Sequence, residues 1–125
     1  MPISTEHQEQ ALLIQMVRLA SQTDHRLNLL FAIPNGGHRH ILTAQKLKDE
    51  GVKSGVPDLF LPVAIAPYHG LFIEMKRRTG GKLSPNQKQW IAALSKQGYK
   101  VVVANGADEA WSALRQYLKP TEQVE

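Results

Sequence analysis

Helix-patterned segments and short β-prone runs follow one another here in the order helix, strand, helix, strand, strand, helix, strand, helix. That order predicts an α/β chain of the α+β kind, a mixed β-sheet flanked by helices. Three observations carry the expectation: apolar residues recur at helical spacing, β-prone runs are bounded by Gly, Pro and Asn, and one pair of strands follows directly with no helix between. At 125 residues the chain fits a single domain over 1–125, with 1–4 and 120–125 as frayed ends.

From Thr5 to about Ser21, Leu12, Leu13, Met16, Val17 and Ala20 recur at helical spacing. Ser4 or Thr5 can cap this first helix, with Glu6 and Glu9 in its opening turns. The apolar run Leu27–Ile33 reads as a strand closed by Pro34-Asn-Gly-Gly37. A second helix runs from Ile41 to Glu50 and stops at Gly51. The runs Asp58–Leu61 and Gly70–Lys76 are most simply an antiparallel pair. Ser84-Pro85 opens a third helix, Ser as cap and Pro in the first helical position, with Trp90, Ile91 and Leu94 on its buried face. Gly98 ends it, Tyr99–Ala104 is a strand, and Asn105-Gly106 turns into a final helix bearing Trp111, Leu114 and Leu118.

Composition removes several classes of function. With no cysteine, disulfides, thiolate nucleophiles and Cys-based zinc sites are excluded. The longest apolar run, Asp58–Pro67, is interrupted by prolines and far shorter than the ~18 residues that span a bilayer. The opening Met1-Pro-Ile-Ser-Thr-Glu6 lacks the basic and apolar regions of a secretory signal, so the cytoplasm is the expected location. A formal charge of +4 and a pI near 9.5 suit a polyanionic partner, because phosphates reward Lys and Arg through counterion release.

The residues that can do chemistry sit on the paired strands. A period of two puts Glu74 and Lys76 on one face and turns Ile73 and Met75 to the other, toward the core. Hairpin-like pairing brings Asp58 beside Glu74. Two adjacent carboxylates repel, so a divalent cation is their natural third party. Mg²⁺, with Mn²⁺ as substitute, takes one or two carboxylates plus a backbone carbonyl such as that of Met75, leaving room for a phosphate oxygen. Lys76 would position or help deprotonate a metal-activated water, the chemistry of phosphodiester hydrolysis. Each element alone has a plainer reading: an Asp after Pro serves turns, and Glu-x-Lys is commonly a solvated ion pair. Arg77, Arg78 and Lys82, around Gly80-Gly81, are the first candidates for phosphate contact, against the alternative of a solvated basic loop.

Gly55-Val-Pro-Asp58, fifteen residues, Glu74-Met-Lys76 and then Ser84-Pro-Asn-Gln-Lys-Gln-Trp90 together resemble the VRR-NUC (virus-type replication-repair nuclease) family of the PD-(D/E)xK nuclease superfamily. The resemblance runs from Glu6-His-Gln-Glu-Gln10 through Pro34-Asn-Gly-Gly37 to Gln87, and is to the compact stand-alone form of bacteriophages and bacteria. It implies a restriction-endonuclease-like core, Asp58 and Glu74 as metal ligands, Lys76 as the catalytic lysine and Gln87 as an active-site amide. A first-helix glutamate joins the metal in this family. Glu6 is the chosen counterpart, and Glu9, three residues along nearly the same face, is the alternative. The likeness also makes the Asn-Gly-Gly segment a second DNA-facing loop, with Arg39 and Lys53 on phosphate. Activity on four-way (Holliday) junctions by a homodimer is implied too, since paired nicks need two sites. For a phage-encoded chain the compartment would be the host cytoplasm.

Other readings are weaker. Gly36–His40 lacks the Gly-Lys-Ser/Thr ending of a P-loop, and His38-x-His40 has no partners at zinc spacing. A non-catalytic DNA-binding or assembly module on a nuclease fold would be favoured by a missing acid or lysine, and none is missing. A phosphatase of small nucleotides would need a closed, base-specific pocket that no residues identify.

Overall fold

The computed structural model describes residues 3–34 and 41–119, with side chains from 44 onward in the second of these segments. Helix α1 (Glu6–Ala20) opens on Thr5, whose hydroxyl accepts the Gln8 N–H while the Gln8 side chain accepts the Thr5 N–H. The expected cap is present, and its reciprocal partner is Gln8 rather than an acid. Leu13 and Val17 are buried, whereas Leu12 lies at the edge of the apolar stripe and is exposed.

The expected strand over Leu27–Ile33 is corrected. A 3₁₀ turn occupies His25–Leu29, and only Phe31–Ala32 pair as strand β1. The Asp24 carboxylate accepts the Arg26 N–H and also takes its guanidinium, holding the segment in a turn that propensity alone assigned to a strand. The turn still sends Leu27 into the core.

After α2 (Ile41–Asp49) come β2 (Leu59–Leu61), β3 (Leu71–Lys76), α3 (Pro85–Lys96), β4 (Lys100–Asn105) and α4 (Ala107–Leu118). The expected mixed sheet is there, in the order β1-β2-β3-β4, antiparallel at the first two junctions and parallel between β3 and β4. Helices α2 and α3 end where Gly51 and Gly98 were expected to stop them. At α3 the N–H groups of Tyr99 and Gly98 close back onto the carbonyls of Leu94 and Ser95.

Strand alternation separates two environments. Leu71, Ile73 and Met75, with Ala104 of β4, face α1 and α4 and form the core with Leu13, Leu59, Leu61, Ala110 and Leu114. Phe72, Glu74 and Lys76 face the other way, toward α3, and are buried as well. Phe60 stacks on Phe72 at 4.2 Å between ring centroids, filling that second layer beyond the charged pair. The face of α3 expected to be buried, Trp90, Ile91 and Leu94, is corrected: no residue of α3 is fully buried, these three are half-buried, and Trp90 borders a groove toward α2. Among the described residues no helix is long and apolar enough to cross a membrane.

Candidate active site

Strand β2 stops pairing at Leu59, opposite Ile73, so the next position outward sets Asp58 across from Glu74. There the Asp58 side chain replaces a strand bond: its Oδ2 accepts the Met75 N–H at 2.7 Å. In a strand the N–H and C=O of one residue project to the same edge, so the Met75 carbonyl also lies on the Asp58 side. Pro57, fully buried just before, sets the approach of Asp58. Gly55 (φ +92°) passes so close to α3 that a Cβ would stand 2.7 Å from Asn86 Cβ. The loop delivering Asp58 is thereby seated against the helix delivering Gln87.

Glu74 is 1% exposed, and its Oε1 is buried with no hydrogen-bond partner among the described residues. Burial, with the Asp58 charge beside it, pushes its carboxyl up to about 8. Asp58 is also raised, by burial first, with the Met75 N–H opposing. Such a pair is destabilised as two anions and relieved by a cation. Glu74 Oε2 accepts the Gln87 Nε2–H at 3.1 Å.

Lys76 is 5% exposed, and its Nζ donates to Gln87 Oε1 at 3.0 Å, with Glu74 Oε2 at 3.7 Å and Glu6 Oε2 at 3.9 Å. Gln87 therefore holds both catalytic-strand side chains. It can do so because the Ser84 cap fixes it at the third helical position, where its Oε1 also accepts the Ser84 N–H. Gly81 lies over the lysine stem, where a Cβ would come within 3.1 Å of Lys76 Cβ, so the loop after β3 screens the ammonium from one side.

The two first-helix glutamates part company. Glu6 reaches Lys76 at the rim, its side chain 49% exposed. Among the described residues no three His, Cys, Asp or Glu side chains converge as a metal-holding group. Glu9 is buried and turned elsewhere. Its Oε1 accepts the Ala107 N–H at 2.8 Å and its Oε2 the Arg78 Nε–H at 3.0 Å. The chain gave one local hint of this. Helix α4 starts at Gly106, which has no side chain to cap it, so a carboxylate from another element serves its N-terminus.

The basic candidates divide likewise. Arg77 and Lys82, with His7 and Glu6, border a cleft of about 550 Å³ between the start of α1 and the loop after β3. Arg78, half-exposed, spends its Nε on Glu9. Lys53 is exposed on a different flank, in a groove between α2 and α3. Arg39, the Asn-Gly-Gly loop and His38-x-His40 lie outside the described residues.

The donor set fits a hard divalent cation. It offers two facing carboxylates, a carbonyl on the same edge and an unsatisfied buried oxygen, and Mg²⁺ needs only one or two protein carboxylates because it keeps waters. Among known protein families, the VRR-NUC domain profile matches residues 2–108. A solved structure described as a VRR_NUC domain protein is similar over 97% of this chain and 93% of its own, at 31% identity and a TM-score of 0.78. No curated protein matches the sequence.

Proposed function

The chain belongs to the VRR-NUC domain family, a nuclease-type, DNA-processing family, and from that premise we propose that it is a divalent-metal-dependent DNA endonuclease that hydrolyses phosphodiester bonds. The observation that carries this reading is the Asp58–Glu74 pair, Asp58 half-buried and Glu74 buried with its Oε1 unsatisfied among the described residues, and the Lys76 ammonium 3.7 Å from Glu74.

In the proposed mechanism, Asp58, Glu74 and the Met75 carbonyl would hold Mg²⁺, with Mn²⁺ as substitute, and Glu6 would join from the rim. When bound, the ion supplies charge stabilisation for the pentacovalent transition state and a more acidic water. Lys76, buried and tethered by Gln87, directs the attacking water toward phosphorus and counters charge on the phosphate oxygens. Gln87 keeps Glu74 and Lys76 apart enough for each to act. Arg77 and Lys82 take phosphates along the cleft, with Lys53, Arg39 and the outer face of Arg78 as further contacts. The substrate form we favour is the four-way junction, cut by a homodimer in the stand-alone manner of phage and bacterial relatives.

Labelled four-way-junction, flap, single-stranded and linear duplex DNA, incubated with Mg²⁺, Mn²⁺ or EDTA alongside Lys76→Ala, tests this directly. Symmetric junction nicks that vanish in EDTA and in the variant are the expected result. Metal-dependent cutting of other forms alone would remove the junction preference. Binding without cleavage of any substrate would defeat the enzymatic reading.

A further inference from the structure

Apart from Lys53, already given a phosphate contact, the groove between α2 and α3 has no part in the hydrolysis described above, yet both its walls run directly into Asp58 and Gln87. It encloses about 700 Å³ and is bordered by Leu47 and Lys48 of α2, by Lys53 and Ser54, and by Asn86 and Trp90 of α3. Ser54 lies just upstream of Gly55-Val-Pro-Asp58, and Asn86 immediately precedes Gln87. Asn86 Nδ2 donates to Ser54 Oγ at 3.0 Å, tying the two walls together. Asn86 and Trp90, four residues apart, share one side of α3 and face the groove, while Gln87 reaches the sheet.

Chemistry narrows the occupant. The described lining carries two exposed lysines and no carboxylate, around a half-buried indole. Together with Arg77 and Lys82 on the α1 side, this places basic residues on both flanks of the Asp58–Glu74 pair, as a polyanion crossing the site requires. The indole adds what phosphate contacts alone do not use, an aromatic face that every nucleobase can stack against. A paired base is already stacked on both sides, so only a base that has left the duplex can enter a groove and meet Trp90.

We propose that the α2/α3 groove seats an unpaired nucleotide of the DNA strand next to the scissile phosphate, its base against Trp90 and its flanking phosphates on Lys48 and Lys53. This rests on the DNA nuclease reading and deepens it, since it makes a base that has left the duplex beside the scissile phosphate the feature recognised. The groove has the size of a ligand site, roughly 300–1,000 Å³.

Binding tested in the Lys76→Ala background with Mg²⁺, where the nuclease reading expects no cleavage, separates this proposal from that one. The probes are a ten-nucleotide oligothymidylate and a blunt duplex, followed by anisotropy and tryptophan emission. Trp90→Ala is expected to weaken the oligothymidylate on the order of tenfold and to remove most of its emission quenching, with blunt duplex shifted less than about twofold. Trp90→Phe, which keeps an aromatic face, should retain most of the single-strand affinity. Lys48→Ala with Lys53→Ala, both exposed, should make the slope of log K against log salt shallower by about 1.4 for single strands. Trp90→Ala protein that binds oligothymidylate as tightly as the parent, or loses duplex equally, overturns the proposal. So does a folded Trp90→Phe that binds no better than Trp90→Ala. Wild type that cleaves nothing while Trp90-dependent quenching persists would defeat the nuclease reading and leave the groove standing; cleavage indifferent to Trp90 would do the reverse.

Discussion

At the residue scale, the two first-helix glutamates make opposite predictions. Glu9 is buried and its carboxylate accepts one backbone and one guanidinium N–H, so Glu9→Ala should cost roughly 2 kcal/mol in urea unfolding. Glu6 is half-exposed, and Glu6→Ala should change stability by less than about 0.5 kcal/mol while lowering metal-dependent cleavage. The reverse pattern would exchange their roles. Protons couple to Glu9 and to Glu74 with opposite sign. The Ala107 N–H, helped by Arg78, holds Glu9 below the ordinary carboxylate range, so its contribution is present above about 4.5 and is lost as pH falls through the folded value. Glu74, raised from 4.5 to about 8, favours the metal-free fold most below 4.5 and loses that advantage as pH rises toward 8. Metal binding must displace that proton. Mg²⁺ affinity measured by calorimetry should therefore climb, by about tenfold per pH unit below 8, and level off above it. A pH-independent affinity across 6 to 8 would contradict a protonated Glu74.

At the scale of elements, the side chains of the proposed site are positioned by how α3 and the Gly55 loop meet. Adding a Cβ at Gly55 faces both the left-handed φ of +92° and a 2.7 Å approach to Asn86, so Gly55→Ala should destabilise by about 2 kcal/mol or more and slow cleavage through Asp58. Removing the Ser84 cap should cost about 1 kcal/mol, read from the thermal midpoint. Because the Ser84 hydroxyl accepts the backbone N–H of Gln87, whose side-chain oxygen accepts from Lys76 Nζ, the Ser84→Ala loss should appear in cleavage rate as well as in stability. A stability loss with an unchanged rate would mean that the lysine is held without the cap. The groove beside it arises from the same contact, since Asn86 is pressed between Gly55 and Ser54.

For the whole molecule, one small domain offers one catalytic cluster, and paired nicking of a symmetric junction needs two. Light scattering on the purified chain should accordingly give twice its 13.9 kDa, and junction nicks should fall off in parallel on dilution below the dimer constant. A monomer that nicks both junction arms would refute the paired arrangement. The fold makes the cluster affordable by confining it to one sheet face. The α1/α4 side carries the aliphatic core, which leaves the α3 side free to bury Glu74 and Lys76, with Asp58 half-buried beside them.

Much of this was legible in the chain because it is written in short-range periods. The alternation of Ile73-Glu74-Met75-Lys76 alone separates core from chemistry, and the uninterrupted succession of two strands makes them antiparallel, which sets Asp58 across from Glu74. Ser84-Pro85 and Gly98 mark the bounds of α3 by capping chemistry that involves only neighbours. What tertiary structure alone decided are contacts between residues far apart in sequence. Glu9 finds Ala107 across 98 residues, Trp90 borders a groove instead of a core, and the Asp24-capped turn displaces most of an expected strand. The reason is physical. Periodicity and turn residues act over one or two turns of chain, whereas which helix covers which sheet face, and which helix end lacks a cap, depends on the summed weak packing energies of the whole domain.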